Sequence, residues 1–200
     1  TPATPIVRST TLDPAQIMHL LDAGAYGVVC PMISTPEQAE LFVRSCRYPP
    51  RGDRSFGPAR GMLYGGADYY EHADSTVLTF AMIETVEGLK NLDAILKTSG
   101  LDGIFIGPND LSLALGQKPG SDFAVPVVIE AIERVRAATK AAGKFIGIYT
   151  ANGEAGAKRI AQGFDMVTVG NDASQLGGAM KAANAMAKSA AVAGVNKTGY

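Results

Sequence analysis

Cysteine and histidine are scarce in this chain, two of each among 200 residues. Cys30 falls in an apolar run and Cys46 late in a helical one, at neither zinc-ligand nor redox-pair spacing. A disulfide scaffold and a cysteine-held metal are therefore excluded, and a reduced, cytoplasmic protein is expected with both thiols in the core. Charge of one sign is also lacking. The 18 Lys and Arg against 19 Asp and Glu leave a net charge of −1, and no Lys/Arg block occurs, which argues against a nucleic-acid or polybasic membrane surface. No apolar run approaches a membrane span, and Thr1-Pro2-Ala3-Thr4-Pro5 lacks the basic-then-apolar layout of a signal peptide. Glycine clusters such as Tyr64-Gly65-Gly66 lack phosphate-loop spacing and read as flexible loop. What remains is a chain with 46% hydrophobic content, enough for one domain over residues 1–200 with a small molecule as its partner.

That hydrophobic content is distributed in alternating strand and helix patterns. Ile6-Val7-Arg8 reads as a short strand, and Asp13-Pro14-Ala15-Gln16 opens a helix with an acidic cap and proline at the first helical position. Residues 27–33 form the next apolar run, and Thr35-Pro36-Glu37-Gln38 opens a second helix. Residues 48–74, rich in Gly, Pro, Arg and Tyr, are too long for a simple connector and read as an irregular lid or binding loop. Strands are expected at 77–83, 103–106, 145–148 and 166–169, with helices at 86–99, 125–142, 154–162 and 173–190. Six strands, each followed by a helix or by loop plus helix, imply a parallel sheet, either open and doubly wound or part of a barrel. A closed barrel of this type requires about eight strands, so two are missing from the count.

Two acids stand just past two of these strands. Glu84 follows residues 77–83, and Asp110 lies in Gly107-Pro108-Asn109-Asp110-Leu111-Ser112 after residues 103–106. The helix between them makes one βαβ unit, so the strands are neighbours and both carboxylates face the carboxyl edge of the sheet, where α/β folds place their chemistry. Each acid alone also fits a helix-terminus role, complementing the dipole. Together they suit a divalent metal, Mg²⁺ or Mn²⁺ with Co²⁺ as a further option, since carboxylate oxygens are hard ligands and no His or Cys joins them. Arg8 ends its strand at the same edge. His19 and His72 read as ordinary surface or partly buried histidines.

Ile6-Val7-Arg8, Leu20-Leu21-Asp22-Ala23-Gly24, Cys30-Pro31-Met32, Arg47-Tyr48-Pro49-Pro50 with Gly52 and Arg54, Ile83-Glu84-Thr85 and Phe105 to Ser112 occur in an order that resembles a known family. It is the class II, metal-dependent pyruvate aldolases typified by 4-hydroxy-2-oxoheptanedioate aldolase, within a citrate lyase-like group. The two acids, 26 positions apart, have the family's separation. The resemblance implies a (β/α)8 TIM-type barrel, of which about six strand–helix units are in this chain, and a homohexamer with a swapped terminal helix. It implies a carbon–carbon lyase that cleaves a 4-hydroxy-2-oxo acid to pyruvate and an aldehyde, reversibly. Glu84 and Asp110 match metal ligands, and Arg8 matches the cation on the developing enolate oxygen. Gly107, Asn109 and Asp110 match the segment receiving the substrate carboxylate. Asp22 matches an acid supporting the catalytic histidine, and Met82 stands where some members have a substrate-contacting Gln.

The family's histidine lies upstream of Arg8. A further 50 to 60 upstream residues, about two strand–helix units, are expected to carry it. At the other end, Lys197-Thr198-Gly199-Tyr200 resembles the family's closing residues, and the chain is expected to be complete there. No lysine stands where a barrel strand would present a Schiff base, against a class I aldolase. Two alternatives stay open. One is a citramalyl- or malyl-CoA-type lyase, with Arg47, Arg51, Arg54 and Arg60 forming a basic groove for the nucleotide. The other is a non-catalytic scaffold subunit that binds metal or oxo acid.

Overall fold

A computed structural model describes residues 3–120 and 122–195, the last six by backbone alone. The closing motif at 197–200 and the first two residues lie outside them. The elements run β1 (Ile6–Arg8), α1 (Pro14–Asp22), β2 (Gly27–Cys30), α2 (Pro36–Cys46), α3 (Ala59–Gly65), α4 (Tyr69–Thr76), β3 (Leu78–Ile83), α5 (Val86–Lys90), α6 (Leu92–Ile95), β4 (Gly103–Ile106), α7 (Pro108–Ala114), α8 (Pro126–Ala141), β5 (Phe145–Thr150), α9 (Gly153–Ala161), β6 (Met166–Val169) and α10 (Asp172–Val195). All six strands are parallel and lie in sequence order, β1-β2-β3-β4-β5-β6. This order makes the sheet singly wound; the doubly wound alternative is excluded, and the sheet curls so that β1 and β6 both line one cavity.

Strand alternation divides the apolar side chains into two cores. On the outer face Val28, Cys30, Ala81, Ile83, Ile104, Ile106, Ile146 and Ile148 pack against Ile17, Leu21, Phe42, Leu92 and Ile132 of the helices. Each fully buried Ile, Leu or Phe there contributes about 1.5–3 kcal/mol. On the concave face Val29, Phe80, Met82 and Phe105 meet Ile6, Leu78, Tyr149 and Met166. An aspartate before each of two strands ties the opposite edge. Asp102 accepts from the Thr79 amide at 2.8 Å, and Asp165 from the Ile146 amide at 2.9 Å. Arg47 and Lys140 neutralise them.

Both capped helices form as their sequences require. Asp13 accepts from the Ala15 amide, and Thr35 with Gln38 closes a capping box. Two expectations need correction. The stretch 48–74 is not an irregular loop, because α3 and most of α4 lie in it; Tyr69 and Ala73 bury against Tyr48, and Asp74 holds the Tyr48 amide at 3.0 Å. Residues 86–99 are two short helices, broken at Asn91, whose side-chain amide donates to the Ser34 carbonyl at 2.8 Å. The segment after β4 opens a helix, α7, with Pro108 and Asp110 in its first turn, in keeping with the helix-terminus reading of Asp110.

Candidate active site

A cavity of about 340 Å³ opens on the concave face at the carboxyl ends of the strands. Its wall is mostly apolar, from Ile6, Val29, Met82, Phe105 and Met166, and its polar groups include Arg8, Asn109, Asp110, Tyr149 and Thr168. Arg8 is the last residue of β1, and among the described residues its guanidinium makes a 3.3 Å bond to the Ser9 carbonyl. Asn109 and Asp110 occupy the first turn of α7 at the exposed rim, where Asn109 accepts from the Gly120 amide at 3.0 Å.

Glu84 sits just beyond β3 with 1% of its surface exposed. Its Oε1 accepts the Met32 amide at 2.8 Å, while Oε2 is buried with no partner among the described residues. Met32 can present that amide because its φ is +60°, a left-handed conformation uncommon for a residue with a side chain. Burial pushes the Glu84 carboxyl up, against the Met32 amide; the Asp110 charge raises it further and the Arg8 charge lowers it. Gly107 follows directly in register, since Ile83 pairs with Ile106, and a Cβ there would lie 2.1 Å from Glu84 Oε2. Only a glycine leaves that oxygen its space.

A hard divalent cation fits this donor set. Glu84 offers an orphaned buried oxygen, Asp110 raises the negative charge beside it, and neither sulfur nor imidazole competes. Among the described residues no cluster of three or more His, Cys, Asp or Glu that could hold a metal ion occurs, and Glu84 and Asp110 are the two candidate carboxylates.

The other sequence candidates are elsewhere. Asp22 is outside the cavity lining and takes a 2.8 Å ion pair from Arg54, whose side chain is fully buried and stacked 4.5 Å over Tyr48. Arg47 is likewise buried, on Asp102 and the Gly100 carbonyl. With those two arginines neutralised inside the fold, the basic groove expected of Arg47, Arg51, Arg54 and Arg60 is not formed. His19 and His72 are exposed and outside the cavity lining, His72 lying 3.6 Å from Asp68. The Cys30 thiol is pushed up to about 11 by burial and that of Cys46 to about 12, as befits inert core residues. Sequence reasoning missed Met32, Phe105, Tyr149 and Thr168. For the last three the period-two alternation of β4, β5 and β6 was the available signal; Met32 stood in the Cys30-Pro31-Met32 motif, but nothing local marked its amide as the partner of Glu84.

The model of the family described as HpcH/HpaI aldolase/citrate lyase matches residues 1–179. A protein of Rhizorhabdus wittichii named hydroxypyruvate/pyruvate aldolase is 46% identical over 179 residues, covering 90% of this chain and 71% of that protein. A 4-hydroxy-2-oxo-heptane-1,7-dioate aldolase of Klebsiella pneumoniae is 40% identical over 178 residues, covering 88% and 66%. Among solved structures, an HpcH/HpaI aldolase/citrate lyase family protein from Burkholderia cenocepacia superposes with a TM-score of 0.85 at 33% identity, covering 94% of this chain and 74% of that one. The chain thus spans from 66% to 71% of the length of these two curated relatives.

Proposed function

Because the chain belongs to the HpcH/HpaI aldolase/citrate lyase family, we propose that it is a metal-dependent pyruvate aldolase, a lyase joining and cleaving pyruvate-type 2-oxo acids and aldehydes. The observation that carries the proposal is the buried Glu84 carboxylate with its unpartnered Oε2, which lies behind the cavity lining but within reach of the charges of Asp110 and Arg8, both of which line the cavity. Glu84 and Asp110 would hold the divalent ion, Mg²⁺, Mn²⁺ or Co²⁺. When bound, such an ion supplies Lewis-acid stabilisation of negative charge on the 2-oxo oxygen.

The chain's own groups do the rest. Arg8 directs a guanidinium at the same oxygen, and its hydrogen bond strengthens as enolate charge develops. Gly107, Asn109 and Asp110 place the first-turn amides of α7, which no side chain caps, where a substrate carboxylate can be received. Met82 and Phe105 exclude water from one side. The proton of the 4-hydroxyl goes to a base outside the described residues. Asp22 lies outside the cavity lining, so we place its role in the active site of a neighbouring copy. We take the six strands as part of a (β/α)8 barrel in a cytoplasmic homohexamer.

Metal removal tests this directly. Chelator-treated protein is expected to lose pyruvate-forming activity and to regain it with Mg²⁺, Mn²⁺ or Co²⁺, whereas Glu84→Ala and Asp110→Ala should not recover. Full turnover after rigorous metal removal would overturn the proposal.

A further inference from the structure

Behind the cavity, Met32, Ser34 and Thr85 close a ring of hydrogen bonds on the Glu84 carboxylate. The Met32 amide that holds Glu84 Oε1 at 2.8 Å comes from a residue at φ +60°, a conformation that a residue with a side chain keeps only under restraint. Ser34, in the loop between β2 and α2, supplies the restraint. Its Oγ lies 3.2 Å from the Met32 carbonyl and 2.7 Å from Thr85 Oγ1. A carbonyl only accepts, so the single Ser34 hydroxyl proton goes to Met32 and the Thr85 hydroxyl donates to Ser34. Thr85, the residue after Glu84, in turn accepts the Gly88 amide at 2.9 Å as the cap of α5. Ser34 is anchored on both sides, because its amide donates to Gln38 Oε1 at 2.7 Å and its carbonyl accepts from the Asn91 side chain at 2.8 Å. The loop and α5 approach so closely that a Cβ on Gly88 would lie 2.8 Å from the Ile33 carbonyl. β2 and β3, which lead into the loop and into Glu84, are inner strands of the sheet, so every member of the ring is in place within this chain.

We propose that Ser34, acting with Thr85, is a positioning residue for the metal site: its hydroxyl holds Met32 in the left-handed conformation, the Met32 amide then fixes Glu84 Oε1, and Oε2 is left as the oxygen that faces the cation. This rests on the metal-dependent aldolase reading and deepens it. A carboxylate with one oxygen already bound presents the other in a set orientation, whereas an unrestrained one must give up rotamer freedom when it takes the ion. Neither Ser34 nor Thr85 lines the cavity, so their influence on the site passes through Met32 and Glu84.

The test uses the full-length protein and two readouts that need no turnover. Ser34→Ala should weaken Mg²⁺ binding about tenfold in calorimetric titration. In metal-free protein it should speed exchange of the Met32 amide hydrogen about fivefold or more, read by NMR. Ser34→Thr keeps the hydroxyl and should retain both properties. Adding Met32→Gly to Ser34→Ala should restore Mg²⁺ affinity, because glycine adopts a φ of +60° without help. Ser45→Ala is the control, since it removes another buried serine hydroxyl, which donates to the Leu41 carbonyl at 2.7 Å, and it should change neither readout. Should Ser34→Ala fold poorly, Thr85→Val opens the same ring from its other side and should reproduce both changes. Mg²⁺ affinity and Met32 exchange both at wild-type values in Ser34→Ala, or equal losses in Ser34→Ala and Ser45→Ala, would overturn the proposal. A wild-type protein that binds none of Mg²⁺, Mn²⁺ and Co²⁺ refutes the metal reading instead, and the Met32 exchange rates then decide by themselves whether Ser34 orients Glu84.

Discussion

Replacing Gly107 by alanine should damage both stability and metal binding through one atom. The φ and ψ of Gly107 are −93° and 88°, open to any residue, so the effect is steric and not a backbone strain. The new Cβ would stand 2.1 Å from Glu84 Oε2, 3.2 Å from Glu84 Cδ and 3.0 Å from Met82 Cε. Relief to ordinary contact requires a shift on the order of 1 Å. Met82 has a flexible end, but Glu84 is held through its other oxygen by the Met32 amide at 2.8 Å. Overpacking of this kind costs about 1–3 kcal/mol. For a domain of this size that is a Tm decrease of about 2–4 °C per kcal/mol. Displacing Glu84, one of the two carboxylates proposed as ligands, should also weaken Mg²⁺ binding about tenfold or more. Gly177 in α10 is the control, since a Cβ there meets nothing within 4 Å and alanine should be neutral or stabilising by up to about 1 kcal/mol. Thermal unfolding and calorimetric Mg²⁺ titration read the two effects. A Gly107→Ala protein with wild-type Tm and wild-type Mg²⁺ affinity would refute the assignment of Oε2 as the metal-facing atom.

Arg8→Ala should lower kcat by about two orders of magnitude while Mg²⁺ affinity stays near wild type, and Arg8→Lys should rescue poorly because an ammonium lacks the planar fork; an unchanged kcat would make Arg8 structural. Asp22→Ala should destabilise by about 3–5 kcal/mol in urea titration, since it strands the fully buried Arg54 charge, and pairing it with Arg54→Met should recover part of the loss. A cost below about 1 kcal/mol would show that the pair contributes little to this fold. Asp165 gives a pH signature: burial raises its carboxyl, but bonds from Lys140 and the Ile146 amide prevail and hold it below its usual range. Its stabilisation is present above the unfolded pKa and is lost as pH falls through the lower folded value. Urea midpoints at about pH 6 and about pH 2 should therefore converge less for wild type than for Asp165→Asn; equal acid losses in the two proteins would refute this.

The six strands were legible because each is a short apolar run bounded by Gly, Pro or Asp, and hydrophobic burial in a parallel sheet needs little else. The caps at Asp13 and Thr35 were legible because they are local bonds within three residues. Glu84 and Asp110 could be paired from sequence, since one βαβ unit obliges neighbouring strands. Their roles were not so local. Which oxygen of Glu84 is free depends on Met32, 52 positions away, and the room around it on Gly107 in the next strand. Arg54 and Arg47 look like surface cations in sequence, yet tertiary contacts bury them on Asp22 and Asp102 and so remove a basic groove. Helix breaks such as Asn91 follow from a bond to Ser34 that no window spans. Local free energies are written in neighbouring residues, whereas a cavity is made by register between strands that are distant in the chain. For that reason Tyr149 and Thr168 fall opposite each other in the cavity wall only once β5 and β6 are side by side.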